Sequence, residues 1–194
     1  MISAQSAWFI VLGYCVILTF FILQRRLRRT EGAKSLKGGA YDRGNTFLIS
    51  ASTGLGLLLP PSLTLLGVGT FQLSLAEGLA AIVVMVTGLW LRLWAAATLG
   101  VYYTSTLTMT EGQSVVTSGP YGRVRHPGYL GSILLWAGFA VLSSDIILVV
   151  LIPIMFVAAY LYRIASEERM LLSRLGTDYE EYRRRTRRLI PYIY

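Results

Sequence analysis

The sequence predicts an all-α integral membrane protein with five transmembrane helices, an outside N-terminus and a cytoplasmic C-terminus. Composition is the first reason: 54% of the 194 residues are hydrophobic and 14% are charged, whereas charged residues make up about a quarter of a typical soluble domain. The second reason is the grouping of apolar residues into long segments within a single membrane domain over residues 1–194. The predicted spans are about residues 6–23, 46–68, 74–96, 127–143 and 146–166.

The distribution of positive charge is the third reason. The 18 Lys and Arg residues give a net charge of +8, and none of them lies in residues 1–24, 44–91 or 126–162. Cytoplasmic loops carry an excess of Lys and Arg, so this distribution predicts the orientation and a basic cytoplasmic loop over residues 25–45. A nucleic-acid-binding protein would instead interleave basic and aromatic residues on a folded face, so we expect no nucleic-acid partner.

The first two spans differ in how clearly they are bounded. Residues 6–23 hold eighteen consecutive uncharged residues, enough to cross a hydrocarbon layer of ~30 Å as a helix. Basic residues follow this segment rather than precede it, which favours a retained span over a cleaved signal peptide. Residues 46–68 contain Pro60 and Pro61, and a residue before proline is pushed out of helical geometry. The second span is therefore predicted to be short or kinked at this pair.

The third span, residues 74–96, carries one internal charge. Arg92 lies near its inner end, and we expect its side chain to extend toward the cytoplasmic interface. Ala76, Ala80 and Gly88 recur at helical spacing and predict a surface for close helix packing.

The last helix is predicted to continue beyond the membrane. No glycine interrupts residues 147–175, and Gly176 follows as a helix stop. At ~1.5 Å per residue this helix is roughly 43 Å long, against a hydrocarbon layer of ~30 Å, so its final turns should stand in the cytoplasm. Thr177 and Glu180 have the spacing of a capping box and predict a short amphipathic helix within the cytoplasmic segment 167–194.

Residues 113–131 hold polar groups, glycines, two prolines and the single histidine between two apolar segments. His126 followed by Pro127 predicts a helix start, where free N–H groups can bind oxygen atoms of a ligand. Arg163 and Glu167 lie four residues apart on one helix face and can pair. Other interpretations stay open: for His126, a helix cap or a histidine whose hydrogen bonds are satisfied within the protein; for the pair, an ordinary interfacial salt bridge; and for the arginine-rich tail, anionic lipid head groups as partners.

Several classes of site are not predicted. Cys15 is the only cysteine, so no disulfide within the chain and no metal site are expected. A Gly-x-Gly-x-x-Gly turn after a strand and a P-loop are both missing from the sequence. From the residues alone, the prediction ends at a five-span membrane protein with one organised cytoplasmic pocket.

Motifs in the C-terminal half resemble those of the isoprenylcysteine carboxyl methyltransferase family. The similar motifs are Val116-Thr117-Ser118-Gly119-Pro120-Tyr121, Arg125-His126-Pro127-Gly128-Tyr129 with Gly131, Arg163 with Glu167-Glu168, Tyr179-x-x-Tyr182, and Ile190-Pro191. The resemblance covers about 90 residues. Phospholipid N-methyltransferases belong to the wider group, and some membrane sterol reductases have a similar C-terminal half.

This resemblance implies an S-adenosylmethionine cofactor, with S-adenosylhomocysteine as product. The pocket would be built from the segment before the fourth span, the extended last helix and the C-terminal amphipathic helix. The residues implied to line the cofactor are Gln113, Ser114, Val115, Val116, Tyr121, His126, Pro127, Gly128, Tyr129 and Glu167, with Thr106 as a further contact. Arg163 would face the carboxylate of a lipophilic methyl acceptor from the bilayer, which makes Arg163 and Glu167 the expected catalytic residues. Tyr179 and Tyr182 would close over the pocket.

Physical reasoning favours a carboxylate acceptor. Methyl transfer from a sulfonium to a carboxylate removes both charges, which is favoured where water is excluded. A carboxylate is ionised at neutral pH and needs no general base, and Arg163 can hold it through two hydrogen bonds. A phospholipid amine would have to lose a proton, an alternative that Glu167 and Glu168 leave open. A non-enzymatic membrane scaffold is the remaining alternative, and the short chain disfavours a nicotinamide-dependent reductase.

Overall fold

The computed structural model describes residues 4–27, 41–104, 106–109 and 112–190, and these residues form helices and connecting turns without a strand. The α-helices of this described part are α1 (Ala4–Leu27), α2 (Asn45–Leu66), α3 (Leu75–Leu99), α4 (Pro127–Leu142), α5 (Ile146–Leu175) and α6 (Thr177–Arg185). Short 3₁₀ helices occupy Gly100–Tyr102 and Gly119–Gly122. Most of the predicted basic loop, residues 28–40, lies outside the described residues.

Four helices are long and apolar enough to cross a membrane. They are Gln5–Leu27, Asn45–Leu66, Leu75–Tyr102 and Ile146–Leu175, and by length and composition they are candidates for four of the predicted spans. Helix α4 is apolar but has only 16 residues, which makes it about 24 Å long at ~1.5 Å per residue. Length and composition therefore do not confirm the predicted span 127–143.

Helix α2 continues through Pro60 and Pro61 to Leu66, so the expectation that this span is cut short at the prolines is wrong. A proline lacks the N–H that would bond to the carbonyl four residues earlier, and for Pro61 that carbonyl belongs to Leu57. The Tyr14 hydroxyl of α1 donates to the Leu57 carbonyl oxygen at 2.8 Å. A tertiary hydrogen bond thus replaces the missing one within the helix.

Helices α3 and α4 touch backbone to backbone. A Cβ atom added to Gly88 would lie 2.5 Å from the Gly131 carbonyl oxygen, and one added to Gly131 would lie 2.6 Å from the Gly88 carbonyl oxygen. Such close packing requires small residues. Gly88 was predicted for this surface and lies in it. Ala76 and Ala80 were predicted for it too, but they are exposed, because they lie on another face of the helix.

Helix α4 lies among α1, α3 and α5 and contributes five of the fifteen buried residues of the main hydrophobic cluster. Its fully buried side chains include Trp136 and Phe139. Trp136 stacks on Phe156 of α5 with ring centroids 4.5 Å apart, and Tyr14 of α1 meets the edge of Phe139 at 5.0 Å. This packing fixes the position of α4, whose first turn contains the last residues of the polar 113–131 stretch.

The predicted long last helix is confirmed, and α4 and α5 form a helical hairpin around a short turn. Asp145 caps α5 by accepting hydrogen bonds from two backbone N–H groups. The helix ends at Leu175, and Gly176 has φ 54°, a conformation that suits glycine. The predicted capping box at Thr177 is wrong: Gly176 alone separates α5 from α6, and no side chain caps α6.

Candidate active site

A cavity of about 390 Å³ lies at the end of the bundle where α4 begins, and all six described α-helices line it. This volume is within the range of roughly 300–1,000 Å³ typical of ligand pockets. Apolar side chains of α1 and α2 border one side, among them Phe20, Phe21 and Ile49. Polar and charged groups from α3, α5 and the 113–129 segment border the remainder, so the cavity suits a ligand with an apolar part and a charged part.

The structure brings nearly all of the predicted site residues to this cavity. Those predicted to line the cofactor that do border it are Gln113, Ser114, Val115, Val116, Tyr121, His126, Gly128, Tyr129 and Glu167. Pro127 does not border it, since this residue is buried as the first residue of α4. Arg163, Thr106, Tyr179 and Tyr182 also line the cavity. Their roles toward a cofactor or substrate stay predictions.

The Tyr129 hydroxyl links Arg163 to Glu167. The Arg163 Nε donates to this hydroxyl at 2.9 Å, and the hydroxyl donates to the Glu167 Oε2 at 2.6 Å. Arg163 is only 6% exposed, and a buried charge needs such partners. The two residues predicted to pair along the helix are therefore joined through a residue of α4.

The Tyr129 ring is held in a stack. His126 lies on it with a centroid distance of 5.5 Å, and Tyr160 of α5 stacks at 4.9 Å. The Cζ atoms of Arg163 and Arg92 lie 5.8 Å and 5.6 Å from the ring centroid, within the range of cation–π attraction. These contacts fix the position of the hydroxyl and, through it, that of Arg163.

His126 occupies the position before α4, but its side chain does not cap the helix, so the capping alternative is wrong. The ring is buried between two carboxylates. Its Nδ1 lies 3.8 Å from the Glu167 Oε2, and its Nε2 lies 3.4 Å from the Glu168 Oε1. This position makes His126 a wall of the cavity that also faces acidic groups.

Glu168 holds the C-terminal tail to the first turn of α4. Its Oε1 accepts from the Arg125 Nε at 2.8 Å, and its Oε2 accepts from the Arg188 Nε at 3.2 Å. Arg125 also donates through Nη1 to the Thr186 carbonyl oxygen at 2.5 Å. Glu168 is 4% exposed, so its charge is neutralised within the protein rather than offered to a ligand.

The chain after α6 also pairs with the chain before α4. The Arg125 N–H donates to the Arg187 carbonyl oxygen at 2.7 Å, and the His126 N–H donates to the Arg188 carbonyl oxygen at 3.0 Å. Segments 123–126 and 187–188 therefore form a short extended contact. Arg125 and His126 of this contact line the cavity, so the contact joins the tail to one wall of it.

Two buried tyrosines of α6 complete this wall. The Tyr182 hydroxyl donates to the Tyr121 carbonyl oxygen at 2.8 Å. Burial raises the pKa of Tyr182, and burial together with the charges of Glu168 and Glu167 raises the pKa of Tyr179. Both phenols therefore stay neutral, and the cavity gains no negative charge from them.

Comparison with known proteins is consistent with this site. Residues 80–173 match the model of the Isoprenylcysteine carboxyl methyltransferase (ICMT) family. Protein-S-isoprenylcysteine O-methyltransferase of Schizosaccharomyces pombe is 31% identical over 109 residues, which cover 49% of this chain and 46% of that protein. The matched segment, just under half of this chain, is similar to the ICMT family.

Two further similar proteins share different parts of this chain. Delta(14)-sterol reductase of Mus musculus is 33% identical over 93 residues, which cover 46% of this chain and 22% of that protein. A solved structure of a eukaryotic intramembrane Ras methyltransferase, ICMT, superposes with a TM-score of 0.57 at 22% identity, covering 75% of this chain and 52% of that chain. The solved structure shows a shared fold. The matched part spans about half the length of the yeast protein.

One residue that lines the cavity, Arg92, was not among the predicted site residues. Arg92 does not extend to the interface as predicted: its Cζ lies 5.5 Å from the Tyr103 ring centroid inside the bundle. The Arg92 Nη2 donates to the Tyr103 hydroxyl at 3.1 Å, and that hydroxyl donates to the Gln24 Oε1 at 2.5 Å. The sequence contained a signal for this position: Arg92 lies inside an apolar helix, and charged residues in membrane-spanning helices usually face the interior of the helix bundle.

Proposed function

We propose that the chain transfers a methyl group from S-adenosylmethionine to the carboxylate of a lipidated, isoprenylcysteine-like acceptor at the cytoplasmic face of the membrane. One observation carries this proposal: a single cavity joins the apolar side chains of Phe20, Phe21 and Ile49 to the Arg163–Tyr129–Glu167 group. The names of the relatives from Schizosaccharomyces pombe and Oryza sativa describe the same reaction.

The residues present fit the cofactor that the family implies. Buried polar atoms are normally hydrogen-bonded, yet Thr106 Oγ1 and Tyr179 Oη have no partner among the described residues. Both residues line the cavity, so a polar ligand would satisfy them. The residues proposed to hold the cofactor are Gln113, Ser114, Val115, Val116, Tyr121, His126, Gly128, Tyr129 and Glu167, with Pro127 setting the start of the helix. When bound, S-adenosylmethionine supplies a methyl group on a cationic sulfur.

Arg163 is proposed to orient the acceptor carboxylate. A guanidinium binds a carboxylate through two parallel hydrogen bonds, and an orientation fixed in advance lowers the barrier to reaction. Tyr129 holds Arg163 through its Nε atom. Because the carboxylate is already ionised, none of these residues has to remove a proton.

The acidic residues argue against a phospholipid amine as acceptor. An amine would need a free carboxylate to attract it and a group to take its proton. Glu168 is bound by Arg125 and Arg188, so it does not serve this purpose. Glu167 already accepts a hydrogen bond from Tyr129. The cavity therefore favours an anionic acceptor.

We propose the predicted topology as well, with α4 crossing as a fifth span enclosed by its neighbours. The cavity and the C-terminal helix α6 then face the cytoplasm. On that side, Arg184 and Arg185 are exposed, and their ion pairs within the described part of the chain are with Glu180 and Glu181 of the same helix. Such surface pairs contribute about 0–1 kcal/mol, so both arginines stay available to anionic lipid head groups.

The acceptor assay tests this function. The detergent-solubilised protein is incubated with methyl-labelled S-adenosylmethionine and either N-acetyl-farnesylcysteine, its carboxamide, or phosphatidylethanolamine. We expect base-labile label on the farnesylcysteine alone. Label on phosphatidylethanolamine with none on farnesylcysteine would overturn the carboxylate assignment. Label on neither substrate would count against both the carboxylate and the amine as acceptor.

A further inference from the structure

We infer that Arg92, with Tyr103 and Gln24, forms a second carboxylate-binding site in the cavity, distinct from Arg163. This inference rests on the proposed function, because a complex of S-adenosylmethionine with a carboxylate acceptor contains two carboxylates. One belongs to the acceptor, and the other belongs to the amino-acid end of the cofactor. Arg92 would bind one of these two groups.

The charges of the cavity point to this role. The arginines that line it are Arg92, Arg125 and Arg163. Arg125 is paired with Glu168 at 2.8 Å, and Arg163 reaches Glu167 through Tyr129. Within the described residues no carboxylate lies at ion-pair distance from Arg92, whose hydrogen-bond acceptors there are neutral.

A guanidinium removed from water requires compensation. The neutral partners of Arg92 are the Tyr103 hydroxyl at 3.1 Å and the Gln24 Oε1 at 3.5 Å. Its Nε is buried and has no hydrogen-bond partner among the described residues. A carboxylate would supply both the missing acceptor and the missing negative charge.

The position of Arg92 is held from two directions. Its Cζ lies 5.5 Å from the Tyr103 ring centroid and 5.6 Å from that of Tyr129. A Cβ atom added to Gly128 would lie 3.1 Å from the Arg92 Nη1, so the glycine makes room for the guanidinium. Arg92 therefore lies beside the first turn of α4, against two residues that line the same cavity.

The experiment compares ligands with and without a carboxylate. Binding of S-adenosylhomocysteine and of 5′-methylthioadenosine, which lacks the amino-acid end, is measured by calorimetry on wild type and Arg92→Gln. In the second arm, the methyl-transfer assay measures how strongly the protein prefers N-acetyl-farnesylcysteine over its carboxamide, which competes for the acceptor site. Charge-assisted hydrogen bonds contribute about 1.5–3 kcal/mol, so the preference for the carboxylate form should fall about tenfold or more in one arm.

The ratio within each pair separates binding from folding, because a disturbed fold weakens both ligands of a pair together. Loss of preference in the first arm assigns Arg92 to the cofactor carboxylate, and loss in the second arm assigns it to the acceptor. Arg92→Lys keeps the charge without the planar fork and should lose less. Arg26→Gln, at an exposed arginine of α1, is the matched control.

An unchanged preference in both arms for Arg92→Gln would overturn the inference while leaving the proposed function intact. A wild-type protein that neither binds S-adenosylhomocysteine nor methylates an acceptor would instead contradict the proposed function, and this inference with it.

Discussion

At the scale of single residues, Tyr129 connects the groups on which the proposed chemistry depends. It accepts from Arg163, donates to Glu167 and is stacked between His126 and Tyr160. A residue predicted only to line the cofactor is thus also the link between the two predicted catalytic residues. The role of the Tyr129 hydroxyl group can therefore be tested by replacing the residue.

Replacement of Tyr129 by Phe should lower kcat for methyl transfer about tenfold or more. The ring and its stacking remain, but the Arg163 Nε and the Glu167 Oε2 lose the hydroxyl between them, and buried hydrogen bonds to charged groups contribute about 1.5–3 kcal/mol. Steady-state kinetics measure the effect. Tyr162→Phe is the control, because this tyrosine of α5 is 44% exposed. Equal kcat values for wild type and Tyr129→Phe would show that the link is not needed.

Replacement of Arg163 by Ala should raise the acceptor KM and lower kcat/KM by about 100-fold, because the carboxylate loses a bidentate partner. The dissociation constant of S-adenosylhomocysteine should change much less. Arg174→Ala, at an exposed arginine of the same helix, controls for charge. If Arg163→Ala methylates the preferred acceptor as well as wild type does, the carboxylate role is wrong.

Residue-level prediction succeeded where spacing along the chain carried the information. Arg163 and Glu167 lie on one helix face, and that follows from a separation of four residues. The intervening Tyr129 comes from another helix, so no local pattern shows it. The predicted position of the Arg92 side chain was wrong for a similar reason. Its partners Tyr103 and Gln24 lie outside its helix, and only packing brings them to it.

At the scale of elements, the junction between the tail and the first turn of α4 joins the tail to one wall of the cavity. Glu168 of α5 bonds to Arg125 and Arg188, and backbone bonds join segments 123–126 and 187–188. The boundaries of α5 and α6 were predictable from the glycine-free run and Gly176. The absence of a side-chain cap on α6 was not predictable. Because Gly176 alone separates the two helices, Thr177 is the first residue of α6 and does not lie before the helix, where a capping residue would be.

Replacement of Glu168 by Gln should loosen this junction. Two arginines then lack the charge that neutralises them, and removing one partner of a buried ion pair costs about 3–5 kcal/mol, or less where water enters. Hydrogen exchange of the backbone amides of residues 179–188 should become at least about tenfold faster. Glu181→Gln, on the exposed face of α6, should leave exchange unchanged. Equal protection in Glu168→Gln and wild type would show that Glu168 does not hold the tail.

At the scale of the whole molecule, the membrane class and four candidate spans were predictable because apolar length is a local property. The behaviour of α2 at its prolines was not, since the compensating Tyr14 hydroxyl belongs to another helix. Helix α4 combines a short length with burial on most sides, so the crossing proposed for it would depend on its neighbours rather than on its own length.

The proposed orientation predicts which loops are reachable from outside the cell. In a Cys15→Ser background, a membrane-impermeant maleimide should label Val68→Cys, which lies in the exposed turn after α2. It should label Asp178→Cys of α6 only after the cells are opened. Labelling of Asp178→Cys in intact cells would reverse the orientation and place the cavity outside.

Calorimetric titration of the detergent-solubilised protein with S-adenosylhomocysteine bears on every role proposed for the cavity. We predict saturable binding at one site per chain, weakened about tenfold in Glu167→Gln and unchanged in Glu181→Gln. Absence of saturable binding to the folded wild-type protein would contradict a cofactor site in this cavity, and with it the proposed methyl transfer.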